Sequence, residues 1–213
     1  MLKVNNKDYD LWEMMCFMNI YLIRHAQTTM NARGKVFSGI TDVSLSVQGI
    51  EATKKTASNK LWSNIEHAYI TPLVRTHQTA DILFDKSVPR TIVPELAEMN
   101  FGDYEGRIMT AENCDDPVFY KWINAPENLT FPNGQNLSVH ADSAFTAFKK
   151  IAENQVYKNI AIISHATTIR LIFSLMLTDS VNIFRKIPCD NGCVSKIVAK
   201  GDELKIKYIN APL

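Results

Sequence analysis

No stretch of the 213-residue chain approaches the ~18–20 consecutive apolar residues of a membrane-crossing helix. Excess charge of either sign is missing too, since 23 Lys and Arg stand against 22 Asp and Glu, a formal net charge of +1. Without a basic stripe there is no electrostatic footprint for nucleic acid or an anionic membrane surface, so neither is expected as a partner. A small anion remains compatible, because a local cluster of Arg and His suffices to hold one. Cysteine is scarce: Cys16, Cys114, Cys189 and Cys193 form no Cys-x-x-Cys pair, and no His or Cys cluster has zinc-site spacing. Scattered thiols of this kind fit a reducing compartment, so the expectation is a cytoplasmic protein without metal or cofactor. Residues 1–17 carry Lys3, Lys7, Asp8, Asp10 and Glu13 and lack the apolar core of a secretory signal. They are either an appended helix or a misassigned start, because the first convincing strand opens at Met18. The domain proper is expected over 18–213.

What is present is a 46% hydrophobic content, ample for one α/β core, and two apolar runs that each end in a histidine. The first is Asn19-Ile20-Tyr21-Leu22-Ile23-Arg24-His25. The second is Asn159-Ile160-Ala161-Ile162-Ile163-Ser164-His165. Unbroken aliphatic runs of this length suit interior strands of a parallel sheet. Further strand signals fall at Ala68–Thr71, Arg90–Val93, Cys193–Ala199 and Leu204–Ile209, the last two joined as a hairpin by Lys200-Gly201-Asp202-Glu203. Helical stretches alternate with the first four strands. They run from a Ser46 cap toward Leu61, from about Leu73 to Phe84, from about Leu137 to Asn154, and from Thr167 to Leu177. This alternation specifies a three-layer αβα sandwich around a mostly parallel central sheet. Between Gly102 and Gln135 the pattern breaks into short pieces with Pro117, Pro126 and Pro132, as a lid or pocket wall does.

A polar residue where a parallel strand ends stands at the sheet's carboxyl edge, where open α/β folds bind ligands. Arg24, His25 and His165 are placed there, and Arg75 follows the second strand in Thr71-Pro72-Leu73-Val74-Arg75. The bland alternative is a pair of helix-capping histidines, which leaves Arg24 and the echo of the two runs unexplained. Two Arg and two His around one point make a site for a phosphoryl group, gripped by guanidinium forks. A neutral imidazole there is a competent nucleophile. A carboxyl group after the third strand, Glu95 or Glu98, is placed to protonate a leaving alkoxide.

The chain is similar to the histidine phosphatase superfamily, also called phosphoglycerate mutase-like, from about Met18 onward. The resemblance is carried by Arg24-His25-Ala26-Gln27-Thr28 with Asn31, Gly39-Ile40-Thr41-Asp42-Val43-Ser44-Leu45-Ser46 with Gly49, and Arg75-Thr76 with Thr79-Ala80. It continues through Leu96-Ala97-Glu98, Phe101-Gly102-Asp103-Tyr104-Glu105-Gly106 and Ser164-His165-Ala166. It implies His25 as the phosphorylated nucleophile, Arg24, Arg75 and His165 as the phosphate clamp, and Glu98 as the proton donor. Asn31, Gln27, Thr28 and Ala166 become further phosphate or substrate contacts. A phosphoglycerate mutase-like fold, a small-molecule phosphate ester as substrate and no cofactor follow, with monomer or homodimer left open. Pro94 to Glu105, Pro132-Asn133-Gly134 and Gly192-Cys193-Val194-Ser195 look like α-ribazole phosphatases, whose substrate is α-ribazole 5′-phosphate in cobalamin assembly.

Some positions depart from the family pattern. Ala26 and Ala166 stand where Gly usually follows each His, Gln135 stands for a Glu, and Ser143 for an Arg. A cofactor-dependent mutase would carry more basic residues between the acid and the second His. Met99 to Ser164 holds only Arg107, Lys121, Lys149, Lys150 and Lys158. A broad phosphatase and a catalytically silent phospho-ligand module complete the alternatives. Glu95 and Glu105 are expected as solvated loop carboxylates, His67, His77 and His140 as surface or packing residues, and Tyr104, Phe119, Tyr120 and Trp122 as a satellite core.

Overall fold

A computed structural model of the chain describes residues 17–108, 115–154 and 156–213. What the sequence suggests for 1–16, Cys16 and Cys114 therefore lies outside the described residues. The strands are β1 (Met18–Arg24), β2 (His67–Ile70), β3 (Arg90–Ile92), β4 (Asn159–Ser164), β5 (Cys193–Lys200) and β6 (Glu203–Pro212). The helices are α1 (Val47–Thr56), α2 (Val74–Leu83), α3 (Pro117–Asn124), α4 (Leu137–Glu153) and α5 (Ala166–Thr178). The strands form one sheet in the order β3-β2-β4-β1-β5-β6, parallel from β3 through β1 and antiparallel at β5 and β6. Among the described residues no helix is long and apolar enough to cross a membrane.

Alternation along the central strands builds the three layers. Met18, Ile20 and Leu22 of β1 pack with Phe148 of α4 and Ile169, Ile172 and Phe173 of α5. Tyr21 and Ile23 face the other way, against Ala80 and Leu83 of α2 and against Trp62. Both faces of the sheet are thus buried, which is why its central strands read as unbroken apolar runs.

Two expectations need correction. The helix capped by Ser46, whose Oγ accepts from the Gly49 amide at 3.0 Å, ends at Thr56 instead of running toward Leu61. Trp62 turns into the core beneath the sheet, and its indole N–H donates to the Thr56 carbonyl, satisfying one end group of the helix. The region from Gly102 to Gln135 contains a helix that its prolines hide. Pro117 is the first residue of α3, where a missing N–H costs nothing, and Asp116 caps it from Val118 and Phe119. The other strand and helix ends match within three residues.

The same region packs around its own aromatic core. The ring of Phe37 meets Phe101, Tyr104, Trp122 and Phe131 edge-on at centroid distances of 5.0 to 5.9 Å. Truncating any one of such buried rings costs about 3–5 kcal/mol. Tyr104 also donates its hydroxyl to Asp116, and burial with this carboxylate pushes the phenol up to about 12. Tyr104 and Trp122 are therefore core residues, whereas Tyr120 is exposed.

Candidate active site

Register brings the two histidines together. Arg24 lies opposite Ser164 across the parallel β1–β4 pair, and the His25 amide continues the ladder to the Ser164 carbonyl at 3.0 Å. The rings of His25 and His165 follow as neighbours, 5.1 Å between centroids. The Ala26 carbonyl, which can only accept, takes the Nδ1 proton of His25 at 2.7 Å. In the neutral ring the lone pair is then on Nε2. His165 is the reverse. Arg75 Nε donates to its Nδ1 at 3.2 Å, so its proton is on Nε2, 2.9 Å from Thr71 Oγ1. Burial, then the positive charges of Arg75 and Arg24, hold both imidazoles well below the usual histidine range. Both rings are neutral bases.

Arg75, in the first turn of α2, is wholly buried. Besides Nε it spends one N–H of Nη1 on the Thr41 carbonyl and one of Nη2 on that of Gly39, leaving two for a ligand. Arg24 donates Nη1 to the Cys189 carbonyl at 2.7 Å, and its buried Nε has no partner among the described residues. The arrangement offers two guanidinium groups and two imidazoles to one anion with several oxygens.

Glu105 fixes the loop that holds Arg75, and this corrects the expectation of a solvated carboxylate. It accepts the backbone N–H groups of Gly39, Ile40, Thr41 and Phe101 and the Thr41 hydroxyl. Gly39 is required here, since a Cβ would come within 2.1 Å of both Glu105 Oε1 and the Met99 carbonyl. Glu105→Gln turns an N–H₂ toward converging donors. The expected cost is about 2–3 kcal/mol, a fall in Tm of roughly 4–12 °C, with a raised KM for phosphate esters as Arg75 loosens. Thermal denaturation and steady-state kinetics check it; an unchanged Tm would show that the loop does not depend on this carboxylate.

Glu98 reaches the site from the segment after β3. Ser164 and Thr168 hydroxyls clamp the Leu96 and Ala97 carbonyls, both at 2.7 Å. The Glu98 carboxyl accepts from the Thr167 amide, in the first turn of α5, and from the Met99 amide, each at 3.0 Å. Burial raises its pKa, and these hydrogen bonds and both Arg charges oppose the rise without cancelling it. Glu95, by contrast, is exposed.

Asn31 Oδ1 collects three donors, from the Thr28 amide and hydroxyl and from Asn191 Nδ2, which fixes the orientation of its amide. Thr28 is thus spent on Asn31. Gln27 accepts the Ser46 hydroxyl through Oε1 and so anchors α1. Ala166 opens α5, and neither it nor Ala26 takes a positive φ, so alanine fits at both positions. Gln135 accepts the Asn100 amide and bonds the Asn100 carbonyl through its own N–H, bracing the acid-bearing segment from outside. Sequence reasoning missed Asn191, which also donates to the His25 carbonyl, and Thr71. His140 is a buried, hydrogen-bonded residue instead of a simple packing one. A cleft of about 490 Å³ runs past Ala26, Gln27 and Asn191, yet none of His25, His165, Arg75 and Glu98 lines it. Among the described residues no three His, Cys, Asp or Glu side chains are grouped to hold a metal ion.

Known proteins are similar to this chain in sequence and in fold. The adenosylcobalamin/alpha-ribazole phosphatase of Escherichia coli K12 is 28% identical over 196 residues, covering 91% of this chain and 96% of that protein. Phosphoserine phosphatase 1 of Hydrogenobacter thermophilus is 23% identical over 84% of this chain and 86% of its own. The crystal structure of the alpha-ribazole phosphatase from Shigella flexneri superposes with a TM-score of 0.79, at 25% identity, over 91% of this chain and 96% of that one. The profile of the histidine phosphatase superfamily (branch 1) matches residues 20–212, from the first strand–His run through the second, and the chain belongs to that superfamily.

Proposed function

We propose that this protein is a metal-independent phosphomonoester hydrolase that works through a phosphohistidine on His25, with α-ribazole 5′-phosphate as its favoured substrate. The observation that carries the reaction is the tautomer of His25. Its proton is fixed on Nδ1 by the Ala26 carbonyl, which leaves a neutral Nε2 lone pair beside His165, Arg24 and Arg75. Nε2 attacks phosphorus, the P–O ester bond breaks, and Glu98 gives its proton to the departing alkoxide. Water then attacks the phosphohistidine, Glu98 takes back a proton, the P–N bond breaks and phosphate leaves. The remaining N–H groups of Arg24 and Arg75 meet the non-bridging oxygens, whose charge must be stabilised throughout, and the Nε2–H of His165 turns to them from Thr71 Oγ1 as phosphate enters.

Likeness to named relatives supports this substrate. The acid-bearing segment Pro94 to Glu105 resembles α-ribazole phosphatases, and relatives of that name cover nine-tenths of the chain. The test is phosphate release in excess chelator from α-ribazole 5′-phosphate, phosphoserine, 3-phosphoglycerate and p-nitrophenyl phosphate. The expected result is a kcat/KM for the first at least about a hundredfold above the others, or ~2.7 kcal/mol of transition-state discrimination. Comparable values on all four would make the protein a general phosphatase. Isomerised phosphoglycerate without free phosphate would make it a mutase.

A further inference from the structure

His140, on α4, has no part in the reaction as drawn, yet it reaches the acid through one hydroxyl. Its Nε2 is 3.0 Å from Thr168 Oγ1, in the first turn of α5. That same oxygen is 2.7 Å from the Ala97 carbonyl and 3.3 Å from Glu98 Oε1. A threonine hydroxyl has one hydrogen, and a carbonyl only accepts. The 2.7 Å contact therefore takes the Thr168 hydrogen, and the contact with His140 must be a bond in which Nε2–H donates to Thr168. Burial pushes His140 down to about 4, so the ring keeps one proton and stays a single-donor group.

We propose that His140 and Thr168 act as positioning residues for the general acid. His140 Nε2–H occupies a lone pair of the Thr168 hydroxyl, so the hydroxyl hydrogen can point only along the Ala97–Glu98 edge. It rests on the Ala97 carbonyl while Glu98 is protonated. It swings to Glu98 Oε1 once the acid has given its proton to the leaving alkoxide. No proton leaves Thr168 or His140, and the only bond made and broken between heavy-atom partners is a hydrogen bond. A hydroxyl bond to a carboxylate is stronger than one to a neutral carbonyl. The swing therefore stabilises the state in which the proton has left, which is differential binding of the kind that accelerates the step.

The inference rests on Glu98 as the acid, and the experiment separates the two. We would compare kcat/KM, which reports the first phosphoryl transfer, for the preferred alkyl ester and for p-nitrophenyl phosphate, whose leaving group needs no proton. Thr168→Val and His140→Met should each lose about tenfold or more on the alkyl ester and less than about threefold on the aryl ester, as partial loss of acid catalysis requires. Thr168→Ser and His140→Gln keep a hydroxyl and a donor in place and should restore the alkyl rate to within about threefold of the parent. Equal losses on both esters would overturn the relay and leave the pair as packing. If Glu98→Gln itself shows no dependence on leaving group, the acid assignment has failed and the relay fails with it. Should Thr168→Val not fold, His140→Met against His140→Gln decides the matter alone.

Discussion

His25→Ala is expected to lower kcat by about 10⁶-fold, the scale of loss when a catalytic nucleophile is removed, and to leave the protein folded. The rate falls because no other group in the enclosure is built to attack. His165 already receives Arg75 on its Nδ1 lone pair and has a proton on Nε2. Rapid quenching with a good substrate should show a phosphorylated chain for the parent and none for the variant. Residual turnover above about 1% would sink the assignment, since unaided water attack cannot reach it. The fold survives because the side chain is a small part of the core and is electrostatically out of place. Its folded pKa lies well below 6.5, with Arg75 and Arg24 adding to burial. Below pH 6.5 the unfolded chain binds a proton at this residue that the folded chain refuses, so His25 subtracts from stability as pH falls. The Tm of His25→Ala relative to the parent should therefore improve from pH 7 toward pH 5. A relative Tm that stays flat over that interval would contradict a depressed pKa.

The strand–His runs were legible because strands buried on both faces leave an unbroken apolar signal, and a polar terminus then stands out at the carboxyl edge. Their meeting at one sheet edge was legible too, but the contacts that fix each ring were not. Met18–Arg24 and Asn159–Ser164 are separated by more than half the chain, and only the order β2-β4-β1 with its register sets His25 and Thr71 each beside His165. Glu105 shows the same gap on a smaller scale. In sequence it is one more loop carboxylate, and its role exists only because Gly39 to Thr41 folds back over it and aims two carbonyls at Arg75. His140 was undervalued for a different reason: its partner, Thr168, lies on another helix, and no local pattern announces a contact between α4 and α5. The α3 helix was hidden because proline was counted as a breaker at the one helical position where it is favourable.

Glu98→Gln is expected to lose about 10²- to 10⁴-fold in kcat/KM on an alkyl ester and less than about tenfold on p-nitrophenyl phosphate. Glutamine keeps the shape, and its carbonyl can still accept from Thr167, but it has no proton to give. The loss must then follow the basicity of the leaving group. The pH profile separates this from damage to the pocket. His25 has to be neutral, and its lowered pKa puts the acid limb well below 6.5. Glu98 has to be protonated, and burial raises its pKa, so activity is present below that raised value and is lost as pH climbs through it. A phosphate dianion bound beside the carboxyl raises it further, which shifts the alkaline limb upward in kcat relative to kcat/KM. Glu98→Gln should remove the alkaline limb due to the acid while keeping the acid limb set by His25. Equal losses on both esters, or an alkaline limb that survives the substitution unchanged, would assign the proton to another group. In either case the clamp on Leu96 and Ala97 would be the place to look for what the substitution had disturbed.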